Sequence, residues 1–193
     1  MDKAFGSGPK DAGSIPVRCV NFFKEHGFMN KTAFIMEQMV EYNLPDLKRI
    51  KHAMKVTGIA QAIASAEKIS DDKVEILTCA AIMHDIGIHM AEKLYNSTSG
   101  FYQQKLGPSV AATFLEKAGF DTEQQGEICY LIAHHHTYNM KDNKLLQILI
   151  EADTIVNAEE GDFGEGMNFD ALRNEIFVTE AGKKYFDALI LKK

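Results

Sequence analysis

The sequence predicts an all-α fold, and three observations support that prediction. Apolar residues recur at helical spacing in several segments; Val74, Leu77 and Ala81, for example, lie three or four positions apart. Residues that cap helices precede these segments. Alternation of apolar and polar residues, which would indicate strands, persists nowhere. We therefore expect a globular bundle of about seven helices.

The predicted helices follow one another along most of the chain. In order they cover residues 16–27, 31–42, 47–69, 71–84, 108–119, 122–134 and 145–156, and the last runs from Thr179 through Leu189. The candidate N-caps are Asn30, Ser70, Asp121 or Thr122, and Thr179. Pro45 and Pro108 suit the first turns of the helices that follow them, since proline lacks an N–H that a first turn leaves unpaired anyway.

Three stretches are predicted to lack helix. Residues 1–15 hold Gly and Pro without periodicity and are expected to be a loose lead-in to a single domain over residues 16–193. Residues 88–106 include the turn-forming sequence Asn-Ser-Thr-Ser-Gly and are predicted to be a loop. Residues 158–168 are acidic and rich in Gly. They are predicted to be a solvated loop, because a phosphate-binding loop needs a preceding strand and a following Lys-Ser/Thr.

The bulk composition fits a soluble globular protein. The chain has 193 residues, of which 46% are hydrophobic and 25% charged. Its net charge of −6 argues against binding a nucleic acid polymer or an anionic membrane, because phosphate groups attract basic surfaces. No apolar run approaches about 18 residues and the N-terminus lacks a signal-peptide pattern, so we expect neither a membrane span nor secretion.

The cysteines point to a reducing compartment. Cys19, Cys79 and Cys129 are odd in number and widely spaced, and the last two lie in apolar helical segments. Free buried thiols are therefore expected rather than disulfides. With no targeting segment in view, this predicts a cytoplasmic protein.

One short stretch, C-A-A-I-M-H-D-I-G-I-H from Cys79 to His89, carries the chemistry. His84 shares a helix face with core residues, so it points inward. Adjacent residues on a regular helix point about 100° apart, so His84 and Asp85 can share an ion only where the helix ends or bends. Gly87 permits such a bend. Burying an imidazole and a carboxylate is costly unless something compensates them, and a metal ion would do so.

Further inward-facing ligands lie on other predicted helices. His52 precedes the His-Asp pair, Asp153 follows it, and both share faces with apolar residues. Taken alone, His52 could be a hydrogen-bonded core residue, and Asp153 could pair with a Lys or Arg. Together with residues 84–85 they predict a metal site between facing helices.

The set of His52, His84-Asp85 and Asp153, in that order, resembles the signature of the HD-domain superfamily of metal-dependent phosphohydrolases. The resemblance covers roughly residues 45–158. It implies an all-helical domain of the HD type in which these four residues hold a metal ion. It also implies that a phosphoester is hydrolysed. The predicted loop over residues 88–106 would then overhang the site.

The ligand types indicate which metals to expect. Two imidazoles and two carboxylates suit Mn, Fe, Co, Ni or Zn better than Mg or Ca, which prefer all-oxygen ligands. Such an ion would activate water and neutralise a phosphate oxygen. The expected reaction is cleavage of a phosphoester in a nucleotide or a similar small phosphorylated metabolite.

The run of three histidines at residues 134–136 raises the question of a second ion. Relatives with two metals resemble this chain at His134-His135, where the pair would help to hold a second ion bridged by Asp85. They also carry a His-Pro pair where this chain has Gly107-Pro108. The alternatives are that these histidines bind phosphate or only cap the helix end. His136 is expected to contact a ligand side chain or to face solvent.

Two further positions concern substrate handling. Some relatives place Lys, Glu or His where this chain has Ile88, and His89 is the nearest substitute as a general acid or phosphate donor. Lys55 lies on one helical stripe with His52 and is a candidate phosphate contact. The alternative for Lys55 is a solvated basic edge.

Two other functions remain open. A few relatives use a di-iron version of the site to activate oxygen, and a non-catalytic sensor that binds a nucleotide or metal would also carry these residues. In each case the expected ligand is small, with no membrane or nucleic acid polymer as a partner. The sequence predicts no particular oligomeric state.

Overall fold

The computed structural model describes residues 30–138 and 143–192. The predicted lead-in and the predicted helix over residues 16–27 lie outside this part of the chain. From Lys31 onward the chain forms one compact unit. No strand occurs among the described residues, which confirms the all-α prediction.

Helices account for most of the described chain. In order they are α1 (Lys31–Asn43), α2 (Leu47–Ala66), α3 (Asp71–Met83), α4 (Ile88–Tyr95), α5 (Gly100–Lys117), α6 (Thr122–His134), α7 (Lys144–Glu160), α8 (Phe169–Ile176) and α9 (Glu180–Phe186). A short π-helical segment, Asp187–Leu191, continues from α9.

Helix α3 lies at the centre of the bundle. It packs against α1, α2, α6 and α7, and every residue from Ile76 to Met83 is buried. By length and composition the stretch Asp71–Tyr95 could cross a membrane, yet 72% of its most apolar window is buried inside the structure. Its apolar character therefore matches the burial of a central core helix.

Side chains cap several helices as the sequence predicts. Asp121 accepts a hydrogen bond from the Gln124 N–H, and the Gln124 side chain accepts one from the Asp121 N–H. This reciprocal pair is a capping box. Thr179 accepts from the Gly182 N–H at the start of α9. Ser70 occupies the N-cap position of α3, but its side chain makes no capping hydrogen bond.

The prediction of a loop over residues 88–106 is wrong. Helix α4 begins at Ile88 and α5 begins at Gly100, so only residues 96–99 connect them. Asn96 ends α4 in the left-handed conformation (φ 50°), and Ser99 caps α5. The Asn-Ser-Thr-Ser sequence therefore marks one tight connection and not an extended loop.

Pro108 lies inside α5 and does not begin a helix as predicted. Proline removes one N–H from the helical ladder. Close packing against α6 accompanies this defect, because the Cys129 thiol donates to the Pro108 carbonyl and Gly107 lies against Ile132. Tertiary contacts thus override the local signal.

The C-terminal helices are tied to α7 through a buried carboxylate. Glu151 is fully buried and accepts hydrogen bonds from the N–H groups of Val178 and Thr179 at 2.6 and 2.9 Å. The Gln147 side chain and the Thr179 hydroxyl donate to the same carboxylate. These contacts satisfy a buried charge and fix the start of α9.

Candidate metal centre

Two helices and one interhelical turn bring the four predicted metal ligands together. His52 comes from α2, Asp153 from α7, and His84 and Asp85 from the turn between α3 and α4. The nearest donor atoms of His52, His84 and Asp153 all lie within 4.8 Å of one another, and all three residues are buried. The side chain of Asp85 is 25% exposed and borders the same group.

The chain turns at the His-Asp pair because α3 ends at Met83. The Ile86 N–H donates to the Met83 carbonyl, and the Ile88 N–H donates to the Asp85 carbonyl. Outside the regular helix, adjacent side chains can approach one point, as predicted.

Gly87 has a different role from the predicted one. Its φ of −75° is open to any residue, so glycine is not needed for the bend. A Cβ at this position would lie 2.6 Å from the Gln103 carbonyl oxygen and 2.8 Å from the Gly107 nitrogen. Glycine is needed because the backbone of the turn packs directly on the backbone of α5.

Fixed acceptors orient each buried histidine. His84 Nδ1 donates to the Ala81 carbonyl and His135 Nδ1 to the Ile132 carbonyl, each at 2.8 Å. His52 Nδ1 donates to a Glu160 carboxylate oxygen at 3.0 Å. In its neutral form, the form that binds a metal, each imidazole therefore carries its one N–H on Nδ1, and its Nε2 lone pair faces the cluster.

The free Nε2 atoms converge with carboxylate oxygens. His52 Nε2 lies 3.3 Å from His84 Nε2 and 3.2 Å from Asp153 Oδ1. Asp85 Oδ2 lies 3.6 Å from His84 Nε2 and 3.9 Å from His52 Nε2. Facing lone pairs and carboxylates repel one another unless a proton or a metal ion lies among them. The donor set therefore fits a divalent cation.

The pKa values of these groups show that the carboxylates favour positive charge at the cluster. Burial opposes a charged His84, but Asp85 and Asp153 outweigh it and raise its pKa to about 9. Burial likewise opposes an ionised Asp85, yet the neighbouring His84 and His135 lower its pKa to about 2. The pKa of Asp153 falls well below its usual range, because the neighbouring His52 and His84 outweigh its burial.

A second group of donors shares Asp85 with the first. The nearest donor atoms of Asp85, His135 and His136 also lie within 4.8 Å of one another. His135 is fully buried, and its Nε2 has no hydrogen-bond partner among the described residues; Asp85 Oδ1 is 3.6 Å away. An unpartnered buried nitrogen beside a carboxylate fits a further cation there.

His136 joins this group because residues 135–136 lie in the turn after α6. Gln103 donates from Nε2 to the Thr98 carbonyl, which turns its Oε1 towards His136 Nε2 at 2.8 Å. His136 therefore carries its proton on Nε2 and leaves Nδ1 free. Burial, followed by the electrostatic influence of the adjacent His135, lowers the pKa of His136 to about 4. From the sequence alone, His136 is expected only beside a ligand side chain or in solvent.

His134 lies apart from this group. As the last residue of α6, it donates from Nδ1 to the Tyr130 carbonyl at 2.7 Å, and its ring stacks on Tyr130. The structure thus groups His135 and His136 with Asp85, where the sequence suggested His134 and His135. Gly107 offers no ligand, and a Cβ there would lie 2.8 Å from Ile132 Cγ2, so packing closes the position.

The two candidate substrate contacts are engaged by other residues. His89 Nδ1 accepts from the Arg49 guanidinium at 2.9 Å. Lys55 Nζ donates to Glu159 at 2.6 Å and to Glu160 at 2.9 Å. Neither His89 nor Lys55 is among the described residues that line the cavity over the cluster.

That cavity has a volume of about 350 Å³ and opens over both donor groups. Its basic residues are Lys48 and Arg49, and its lining also includes His52, Asp85, Thr98, Gln103, His136, Asp153, Asn157 and Glu160. Arg49 is anchored by Glu92, at 2.6 and 3.0 Å. The volume suits a small molecule.

Sequence reasoning missed Arg49, Glu160 and the grouping of His136. A signal for Glu160 exists, since it lies seven positions after Asp153 and shares its helix face. Arg49 and the pairing of Asp85 with His136 depend on contacts between distant helices, which one sequence does not specify.

Comparison with known proteins agrees with this architecture. The family model described as HD domain matches residues 49–158, more than half of the chain. The chain is also similar to the crystal structure of a predicted HD superfamily hydrolase from an uncultured Thermotogales bacterium. That likeness has a TM-score of 0.56 and 20% identity, covers 89% of this chain and 90% of the other, and shows the fold. No curated protein matches the chain. The family match over more than half of the chain shows that it belongs to the HD domain family.

Proposed function

We propose that the protein is a metal-dependent phosphohydrolase that cleaves a phosphoester in a nucleotide or a similar small phosphorylated metabolite. The observation that carries the proposal is the convergence of His52 and His84 Nε2 atoms with Asp153 and Asp85 oxygens at the base of an open cavity. Free Cys79 and Cys129 thiols support a reducing, cytoplasmic location.

Four residues of the chain would hold the metal ion. His52, His84, Asp85 and Asp153 would hold an Mn, Fe, Co, Ni or Zn ion, since the set mixes nitrogen and oxygen donors. Such an ion supplies Lewis acidity, which activates water and neutralises charge on phosphate.

Lys48, on the cavity wall, is paired with Asp162 at 3.2 Å and would exchange that partner for a substrate phosphate. Its side chain is 71% exposed, so the existing ion pair is weak and easily replaced. Lys48 therefore replaces Lys55 as the candidate phosphate contact.

The second donor group allows a second ion at Asp85, His135 and His136. The unpartnered, buried His135 Nε2 supports it. A two-metal hydrolase would use this ion to clamp the phosphate. The same observation favours one other function, a di-iron oxygenase, because that chemistry needs two redox metals in adjacent sites.

A screen of purified protein tests the proposal. Phosphomonoesters, cyclic nucleotides and nucleoside triphosphates are incubated with Mn, Co, Ni, Fe or Zn, with the Asp85→Ala variant as the inactive control. Metal-dependent release of phosphate or opening of a cyclic phosphoester, absent in the variant, is expected. Two irons per chain with oxygen consumption and no phosphoester turnover would favour the oxygenase instead.

A further inference from the structure

The end of α7 presents a second carboxylate to the cluster. Asp153, Asn157 and Glu160 lie at positions i, i+4 and i+7 on one face of α7, and all three line the cavity. Glu160 is the last residue of the helix, which Gly161 ends in the left-handed conformation (φ 80°). This places Glu160 opposite α2, the helix that carries His52.

The contacts of Glu160 link His52 to a lysine. One carboxylate oxygen accepts from His52 Nδ1 at 3.0 Å, and the other accepts from Lys55 Nζ at 2.9 Å. The Glu160 side chain is only 11% exposed, whereas the neighbouring Glu159, which also contacts Lys55, is 45% exposed. Lys55 therefore holds the Glu160 carboxylate in place while Glu160 holds the imidazole.

We infer that Glu160 is a positioning residue for His52, fixing the tautomer whose Nε2 lone pair faces His84 and Asp153. The carboxylate can only accept, so the single proton of a neutral His52 is held on Nδ1. Without this acceptor the ring could rotate or take the other tautomer, and Nε2 would no longer be available as a donor. The inference rests on the proposed metal site.

The plainer alternative is that Glu160 is one partner in a surface ion pair between α2 and α7. Lys55 with Glu159 is such a pair, and Lys48 pairs with Asp162 just beyond the end of α7. Glu159 offers a matched control, because it contacts the same lysine but not His52. Any effect that Glu160→Ala shows and Glu159→Ala does not depends on the histidine contact.

Metal affinity is the first measurement. Mn and Zn dissociation constants are determined by chelator competition for the unmodified protein and for Glu160→Ala, Glu160→Gln and Glu159→Ala. Loss of a carboxylate behind a ligating histidine typically weakens binding by about 10–100-fold, which we expect for Glu160→Ala. Glu160→Gln keeps an oxygen acceptor and should stay close to the unmodified protein, as should Glu159→Ala. Unfolding of the metal-free proteins checks that all four are folded.

The proton on His52 is the second measurement. In the Zn-loaded protein labelled with ¹⁵N-histidine, the His52 Nδ1–H resonance should be slow to exchange with water. It should persist in Glu160→Gln and Glu159→Ala, and it should be lost in Glu160→Ala. A merely structural ion pair would not change this signal.

Each result has a defined meaning. Unchanged metal affinity in Glu160→Ala would overturn the inference. So would a loss of metal affinity in Glu159→Ala or in Glu160→Gln as large as that in Glu160→Ala. If the unmodified protein binds metal, shows the variant pattern and cleaves no phosphoester, the proposed function fails and the positioning role stands. If the unmodified protein cleaves phosphoesters and all the variants bind metal as tightly as it does, the proposed function stands and the positioning role of Glu160 fails.

Discussion

At the scale of single residues, both donor pairs owe their geometry to where a helix ends. Residues 84–85 follow the last residue of α3, and residues 135–136 follow the last residue of α6. Side chains of adjacent helical residues diverge, whereas those in a turn can approach one point. This is why His134, still helical, lies outside the cluster while the next two histidines join it.

Asp85 is predicted to be the residue on which metal retention depends most, because its two oxygens face the two donor groups. Asp85→Ala should remove most bound metal. It should also abolish the metal-dependent rise in stability, which for an ion at 100 times its Kd is about 2.7 kcal/mol. Metal analysis and thermal unfolding with and without Mn measure both effects. Asp71→Ala, an exposed change at the start of α3, is the control; unchanged stoichiometry in Asp85→Ala would contradict the site.

Replacing His135 should test the second donor group without removing a ligand of the first. His135→Ala removes a donor of the second group only, so about one metal per chain should remain while phosphoester turnover falls. A contact made mainly in the transition state lowers kcat more than it raises KM. His134→Ala should change neither quantity, since His134 bonds within α6. Loss of all metal in His135→Ala would place His135 in the primary site.

At the scale of helices, the site depends on a backbone contact between the turn after α3 and α5. Gly87 and Gly107 face each other there, and a Cβ on Gly87 would lie within 2.8 Å of backbone atoms of α5. Backbone cannot rotate away as a side chain can. The position of Asp85, two residues earlier, is therefore coupled to the packing of α5.

Gly87→Ala should destabilise the fold by about 1–3 kcal/mol through overpacking, and weaken metal binding with it. Gly126→Ala is the matched control: Gly126 lies in α6 with nothing within 4 Å of an added Cβ, so the change should stabilise by about 0.4–1 kcal/mol. Denaturant unfolding of the metal-free proteins compares them. Equal stability of Gly87→Ala and the unmodified protein would show that the turn can move away from α5.

At the scale of the whole molecule, the sequence predicts those features that depend on helical periodicity and on the order of residues along the chain. The apolar repeats predict most helices, and the central place of α3 matches its second half, Ile76 to Met83, in which every residue is buried and all but Thr78 are apolar. The inward placement of His52, His84 and Asp153 follows from the same repeats. The turn-forming residues 96–99 predict a connection but not its length, because local composition does not show that Ile88 and Gly100 begin helices. The roles of Gly87, His136 and Glu160 depend on neighbours distant in sequence.

Charge complementarity between α2 and the acidic residues 158–168 illustrates this limit. From the sequence, Lys55 on the basic stripe of α2 is a candidate phosphate contact or part of a solvated edge, and residues 158–168 are predicted to be a solvated loop, although α7 continues to Glu160. In the structure they face each other, with Lys48 on Asp162 and Lys55 on Glu159 and Glu160. Only the tertiary fold reveals that the two stretches are partners.

His52 and Asp153, whose Nε2 and Oδ1 atoms lie 3.2 Å apart in the cluster, are 101 positions apart in the chain. During synthesis, a chain that has emerged only as far as α6 would carry His52, His84 and Asp85 without Asp153 or Glu160. Such a fragment lacks one ligand and the anchor of another, and a partly completed donor set binds metal weakly. Tight metal loading would therefore follow the emergence of α7 from the ribosome.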